Sequence, residues 1–171
     1  FIEWKSPASF LNLREVQLID PQGEPYNIVS GTLHTERTSG SSFTITKIQR
    51  AGNCFDGNTG LGNEWTSLCH SGSRTDWWAS FDLGETKCVQ KVKLYNRKGQ
   101  FSSRIVGAIV TLRHDGRIVS GHTVLNGGSS PNYIIEFDVV RPTTLTLIPT
   151  TTIAADEVLT ITCTDRLLPN G

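Results

Sequence analysis

The sequence predicts an all-β fold, a jelly-roll β-sandwich, and three observations support that prediction. Apolar and polar residues alternate with a period of two in several short runs, as they do in strands with one face on a core. Clusters of Gly, Ser, Asn, Asp and Pro separate these runs, as turns separate strands. No long apolar stripe of helical period competes with them. Many short strands joined by such turns are typical of sandwiches and jelly rolls.

The predicted strands are spread along the chain. The clearest alternations are Trp77–Leu83, Val106–Leu112 and Tyr133–Val139, and shorter runs lie at Leu11–Leu18, Val92–Leu94, Leu145–Leu147 and Leu159–Cys163. Asp115 and Gly116 lie between two runs and predict a tight hairpin, since Asp-Gly tolerates the positive φ that this turn requires. No internal repeat or linker divides the chain, so we expect one domain over residues 1–171.

The charge balance bears on the class of partner. The 16 basic and 16 acidic side chains cancel, which leaves no excess positive charge for a phosphate backbone or an anionic membrane. We therefore expect neither a nucleic-acid partner nor a membrane partner. The sequence contains no methionine, and we expect it to be a processed product or a piece of a longer polypeptide.

The four cysteines are Cys54, Cys69, Cys88 and Cys163. They form no Cys-x-x-Cys pair, which argues against a zinc ribbon or a thioredoxin-type site. Two disulfides are favoured over buried free thiols. Disulfides indicate an oxidising compartment, so the sequence predicts a secreted or cell-surface protein.

One cluster of oxygen-bearing side chains is a candidate metal site. Asn53, Asp56, Asn58 and Ser67 offer a carboxylate, two amide carbonyls and a hydroxyl, and these hard ligands suit calcium. An EF-hand is excluded because the position that requires a bidentate Glu holds Ser67. The alternative reading is that Asp56 and Asn58 close the loop by Asx turns, with no metal.

A second constellation is a candidate sugar site. Arg97 and Arg104 carry forked donors that can pair with adjacent oxygens, and the imidazole of His70 can donate or accept, which suits vicinal hydroxyls. Trp77 and Trp78 lie between them in the sequence and could supply an apolar face. Alternatively, the arginines are solvated surface charges and the tryptophans divide between core and edge.

Nothing in the sequence resembles a catalytic assembly. There is no Gly-x-Ser-x-Gly and no His-Glu-x-x-His motif, and the acidic residues are scattered. We therefore expect a protein that binds its ligand and is not an enzyme.

Five motifs lie in one order through roughly the middle third of the chain. They are Asn53-Cys-Phe-Asp56-Gly57-Asn58, Ser67-Leu-Cys69-His70, Asp76-Trp77-Trp78-Ala-Ser-Phe81-Asp82-Leu83, Asn96-Arg97 and Ser103-Arg104. Together they resemble the F-type lectins, or fucolectins, which are relatives of the discoidin and coagulation-factor C-type domains. The spacing is similar too, since Arg97 follows His70 by 27 positions and Arg104 follows Arg97 by seven.

The resemblance implies a galactose-binding-domain-like jelly roll whose end loops form a sugar pocket beside a structural calcium ion. The implied sugar-binding residues are His70, Arg97 and Arg104, and the implied calcium ligands are Asn53, Asp56, Asn58 and Ser67, with Cys163 and Thr164 completing the shell. It also implies a disulfide between Cys69 and Cys163, which leaves Cys54 to pair with Cys88.

The chain departs from the fucolectin pattern at Gly99–Phe101. There the family has an aspartate followed by two adjacent cysteines that touch the sugar, and we expect Phe101 to replace that wall with an aromatic platform. A reading in which apolar loop tips enter a lipid surface, as the coagulation-factor relatives imply, is weakened by the neutral overall charge. Two other functions stay open. One is a lectin-like, carbohydrate-binding module of fucose or galactose type, with glycans or glycoproteins as partners. The other is a structural or cell-adhesion sandwich without a sugar site, packed in a larger surface assembly or virion against other domains of its polypeptide.

Overall fold

The computed structural model describes residues 1–3, 11–33, 51–60, 68–71, 78–129 and 133–139. In these ranges the strands are β1 (Ile2–Glu3), β2 (Asn12–Ile19), β3 (Ser30–Leu33), β4 (Cys69–His70), β5 (Trp78–Asp82), β6 (Lys91–Asn96), β7 (Ile109–His114), β8 (Arg117–Thr123) and β9 (Ile134–Asp138). The same ranges contain two short 3₁₀ helices, Ala51–Cys54 and Gly99–Ile105. None of the helices described is long and apolar enough to cross a membrane.

The strands form two antiparallel sheets that enclose a common core. One sheet has the order β3-β5-β1-β7-β8 and the other the order β4-β2-β6-β9. Among the described residues, one hydrophobic cluster contains Ala79 and Val110 from the first sheet together with Val92, Leu94 and Ile135 from the second. Because apolar residues of both inner faces share one core, the predicted β-sandwich is confirmed.

Most predicted strands within the described ranges are present. The runs at Trp77–Leu83, Val92–Leu94 and Tyr133–Val139 correspond to β5, β6 and β9, while Trp77 and the runs at Leu145–Leu147 and Leu159–Cys163 lie outside the described residues. The prediction that a strand begins at Val106 is wrong, because Val106 ends the second 3₁₀ helix with its N–H donating to Ser103 O.

The predicted hairpin between β7 and β8 is confirmed. Its central residues Asp115 and Gly116 have φ of 47° and 76°, and the flanking residues His114 and Arg117 are paired across the hairpin. Positive φ at both central positions gives the turn a twist that matches its strands.

The run predicted at Leu11–Leu18 forms β2, which carries an irregularity that the alternation did not predict. Leu13 pairs with Asn96 and Glu15 pairs with Tyr95, so Arg14 is the extra residue of a β-bulge. One inserted residue reverses which side chains face the core. As a result, Leu13 is buried before the bulge and Val16 after it, while three polar residues of β2 lie against the surrounding loops: Asn12, Arg14 and Glu15.

The predicted disulfide pairing is wrong. Cys54 is bonded to Cys69, so neither Cys69–Cys163 nor Cys54–Cys88 forms. The 3₁₀ helix Ala51–Cys54 packs against β2 and β4, which brings the Cα atoms of Cys54 and Cys69 to 5.2 Å. Cys88 is also disulfide-bonded, and Cys163 lies outside the described residues.

Candidate functional site

Three neighbouring strands bring the candidate sugar-binding residues to one end of the four-stranded sheet. His70 on β4 is paired with Asn12 on β2, and the next residue of β2 is paired with Asn96 on β6. Arg97 therefore follows β6 at the edge where His70 and Asn12 lie. The 3₁₀ helix Gly99–Ile105 then places Phe101 and Arg104 at the same end.

Asn12 joins the two arginines. Its Oδ1 accepts a hydrogen bond from Arg97 at 2.8 Å and from Arg104 at 3.2 Å. Both guanidinium groups also lie on the ring of Phe101, with their central carbons 4.2 Å and 4.3 Å from the ring centroid. One amide oxygen and one aromatic ring thus hold two cations close together, and each cation–ring contact contributes about 0.5–2 kcal/mol.

The four predicted sugar-binding residues differ in their access to solvent. His70 and Arg97 are only 2% and 4% exposed, whereas Phe101 and Arg104 are partly exposed. Burial lowers the pKa of Arg104 because it disfavours the charged form. Of the four side chains, Arg104 and Phe101 are therefore the ones that a ligand can contact.

His70 is fixed in one orientation by its neighbour. Its Nδ1 lies 2.6 Å from the backbone carbonyl oxygen of Ser71. Since a carbonyl oxygen only accepts, Nδ1 is the donor in this contact. Trp78 lies in the other sheet, where its ring stacks on Phe1 at 5.5 Å. Phe101 is thus the aromatic residue that the described structure places beside the arginines.

Asn96 anchors the 3₁₀ helix that carries Phe101 and Arg104, which we call the exposed pair. Its Nδ2 donates to the carbonyl oxygens of Ser102 at 2.7 Å and Gly127 at 2.8 Å, and its Oδ1 accepts from the Arg97 N–H at 2.8 Å. The side chain of Asn96 therefore ties the 3₁₀ helix to the loop that follows β8. Asn12 and Asn96 were not predicted as site residues, because a polar residue in a strand ordinarily indicates its solvent face.

The candidate calcium loop contains the Asx turns of the alternative reading. Asp56 Oδ1 accepts from the N–H of Asn58 at 2.9 Å, and Asn58 Oδ1 accepts from the N–H of Gly60 at 3.2 Å. Asn53 Nδ2 donates to Leu68 O at 3.1 Å. Among the described residues, no three His, Cys, Asp or Glu side chains are grouped closely enough to hold a metal ion by themselves. The other predicted calcium ligands lie outside the described residues: Ser67, Cys163 and Thr164.

Two buried side chains of β2 reach the same loop. Arg14 donates through Nε to Asn96 O at 2.8 Å and through one terminal nitrogen to Thr59 O and Gly60 O, both at 3.1 Å. Glu15 accepts the N–H of Gly57 on Oε1 at 3.2 Å, and its Oε2 is buried with no hydrogen-bond partner. Neither role was predicted from the sequence.

Burial sets the ionisation of Glu15. Burial, together with the charge of Asp56, raises the pKa of this carboxyl to about 7, against the lowering effect of hydrogen bonds from the backbones of Gly57 and Asp56. Asp56 and, when Glu15 is ionised, its unsatisfied oxygen are hard anionic donors. The chemistry of the loop therefore fits calcium, although the turns already use one oxygen of Asp56 and the side-chain oxygen of Asn58.

The family model of the NedA-like galactose-binding domains matches residues 53–165. This range includes the candidate calcium loop together with His70, Arg97, Phe101 and Arg104, and it excludes β2 with Asn12 and Glu15. No curated protein and no solved structure matches the chain. The galactose-binding-like fold predicted from the motifs is therefore confirmed, whereas membership of the fucolectins or discoidins stays a prediction.

Proposed function

This chain belongs to the family of NedA-like galactose-binding domains, and from that premise we propose that it is a carbohydrate-binding module of a secreted or cell-surface protein. Its partners are glycans or glycoproteins that present a galactose- or fucose-type sugar, and other domains of its own polypeptide. The Cys54–Cys69 disulfide supports an oxidising compartment.

The pairing of Arg104 with Phe101 is the observation that carries this proposal. An arginine fork can donate to two adjacent sugar hydroxyls, and the aromatic ring beside it can pack on sugar C–H groups. Both side chains are partly exposed at one end of the sandwich. Arg97 and His70 are buried, and both are joined to Asn12, Arg97 by a side-chain hydrogen bond and His70 by strand pairing, so we assign these two residues to positioning the exposed pair.

A glycan array tests the proposal. Arg104→Ala removes the exposed donor, and we expect it to weaken binding of the preferred glycan at least about tenfold, since a charged hydrogen bond contributes about 1.5–3 kcal/mol. Phe101→Ala should weaken it as well. Arg117→Ala removes an exposed arginine from the β7–β8 hairpin and serves as the matched control. Binding that survives both Arg104→Ala and Phe101→Ala would show that the pocket lies elsewhere.

We further propose that a structural calcium ion stabilises the loop beside this site. The proposed ligands are Asn53, Asp56, Asn58, Ser67, Cys163 and Thr164, some of them through backbone carbonyl oxygens. When bound, the ion supplies a double positive charge that orders the loop. Asp56 contributes the carboxylate, and the turns at Asn58 and Gly60 hold the loop in shape.

A structural role is the second candidate, and the burial of His70 and Arg97 is the observation that favours it. In that case the polar cluster around Asn12 only fixes the end of the sandwich, and the module packs in a larger surface assembly. It predicts an array without any bound glycan and a native mass that corresponds to a multimer or a complex of the full-length protein. A monomeric, glycan-binding protein would rule it out.

A further inference from the structure

Glu15 is a buried carboxylate that its surroundings leave half satisfied. The residue is 4% exposed. Its Oε1 accepts one hydrogen bond from the Gly57 N–H, and its Oε2 has no hydrogen-bond partner. An ionised carboxylate taken out of water is costly unless opposite charge or several donors compensate it. The backbone N–H groups of Gly57 and Asp56 are a small compensation for a group in this position.

The surroundings of Glu15 add negative charge. Glu15 and Asp56 line the same groove, between β2 and the loop that begins at Asn53. The nearest buried cation along the strand is Arg14, and its guanidinium is directed to the carbonyl oxygens of Thr59 and Gly60. Two carboxylates that share a groove repel each other. A cation bound between them would attract both and so offset their repulsion.

The groove provides room and further oxygen donors. It has a volume of about 370 Å³ and opens to solvent, and Gln17 and Asn27 line it together with the two carboxylates. Calcium takes six to eight oxygen ligands, commonly including waters. A groove that is open to solvent gives such an ion both an entry path and its waters.

We propose that Glu15 supplies a second carboxylate to the calcium site, reaching from β2 to the loop that holds Asp56. This inference rests on the proposed calcium site but not on glycan binding. The family match begins at residue 53, so it does not include Glu15. Glu15 belongs to none of the sequence motifs, and it reaches the loop because β2 lies beside it in the folded sheet. Its role explains why a glutamate with an unsatisfied oxygen occupies a buried position.

Calcium titration calorimetry on the metal-stripped chain tests the inference. We expect Glu15→Gln to weaken calcium binding at least about tenfold, whereas Glu24→Gln, in an exposed turn after the same strand, leaves it unchanged. The glutamine still accepts the Gly57 N–H and removes only the charge.

Thermal unfolding gives a second readout that a purely structural glutamate would not produce. In EDTA at pH 8, where the wild-type carboxyl is ionised, Glu15→Gln should unfold at a higher temperature than the wild type, because it removes a buried charge. With calcium present the order should reverse. The amide signal of Gly57 in the wild type should also shift during the titration, which tests the site without any variant.

Two results would overturn the inference. If Glu15→Gln binds calcium as tightly as the wild type, Glu15 is no ligand, although the calcium site itself stands. If the wild type binds no calcium and its Gly57 amide does not move, both the calcium proposal and the role of Glu15 fail. The glycan array is independent of either result.

Discussion

The side chain of Asn12 holds the two arginines of the candidate site close together. Its single amide oxygen accepts from both Arg97 and Arg104, and both arginines contact Phe101. Two like charges ordinarily separate, and a shared acceptor with a shared ring offsets their repulsion. The site therefore depends on a residue that precedes the matched motifs by some forty positions.

Replacement of Asn12 by alanine should destabilise the fold and disturb the site together. The change removes the acceptor that the two guanidinium groups share, and we expect a loss of about 1–3 kcal/mol in the free energy of unfolding. Urea denaturation measures it. Asn12→Asp keeps an acceptor of the same shape and should stay close to the wild type. An Asn12→Ala variant with unchanged stability would mean that water replaces the amide at no cost.

Glu15 should make stability depend on pH when calcium is absent. Burial raises the pKa of its carboxyl from 4.5 to about 7. Between these values the unfolded chain releases the proton that the folded chain keeps, so stability falls as the pH rises through this window, by at most about 3 kcal/mol. Below pH 4.5 both states are protonated and the loss is absent.

Urea denaturation in EDTA, at a series of pH values from 4 to 8, checks this dependence. The quantity to follow is the difference between the wild type and Glu15→Gln, because the other carboxylates contribute equally to both. A difference that stays constant across the window would contradict the shifted pKa.

The 3₁₀ helix Gly99–Ile105 is the element that presents the exposed pair. Asn96 ties it to the loop after β8, and that loop approaches the helix backbone closely at Gly127. A Cβ atom at Gly127 would lie 2.4 Å from Ser102 O. Only glycine allows this approach, so the position of Phe101 and Arg104 depends on a loop outside their own element.

Gly127→Ala should therefore destabilise the protein and weaken glycan binding through the helix. We expect a loss of about 1–3 kcal/mol, as for other substitutions that force the backbone apart. Gly52→Ala is the matched control, because a Cβ there meets nothing within 4 Å. Urea denaturation and the glycan array together check the prediction, and equal behaviour of the two variants would contradict it.

The sequence predicted individual elements well and their junctions poorly. Strands with clear alternation, such as β5, β6 and β9, lie where the pattern placed them, because a two-layer core buries every second side chain. The bulge at Arg14 was not predicted, because the run was taken as one continuous alternation, although two consecutive polar residues, Arg14 and Glu15, interrupt it between Leu13 and Val16. The start of β7 was misplaced because Val106 fits a strand alternation while ending a helix.

At the scale of the whole molecule, the fold class and the galactose-binding-like superfamily could be predicted, whereas the cysteine pairing could not. Alternation and motif order indicate a galactose-binding-like sandwich without any knowledge of distances. Pairing depends on which loops meet in space, and the packing of the first 3₁₀ helix on β4 decided it. For the same reason His70, Arg97 and Arg104 could be predicted to cluster, but not that two of them are buried.

Peptide mapping under non-reducing conditions tests the pairing. We expect a cross-linked peptide that contains Cys54 and Cys69, and none that joins Cys69 to Cys163. Replacing Cys54 and Cys69 together by alanine should cost about 3 kcal/mol in the free energy of unfolding, because the bond closes a loop with a sequence separation of 15. A Cys54–Cys88 peptide would contradict the described arrangement of the two loops.

Site-resolved NMR during a titration with galactose and with fucose tests the central claim most directly. If the module binds carbohydrate at the end of the four-stranded sheet, the ring signals of Phe101 and the guanidinium signal of Arg104 shift with the sugar, while the amides of Asp115 and Gly116 at the β7–β8 hairpin stay in place. Saturable shifts that leave Phe101 and Arg104 unmoved, or no shift with any sugar of the panel, would contradict the proposed site.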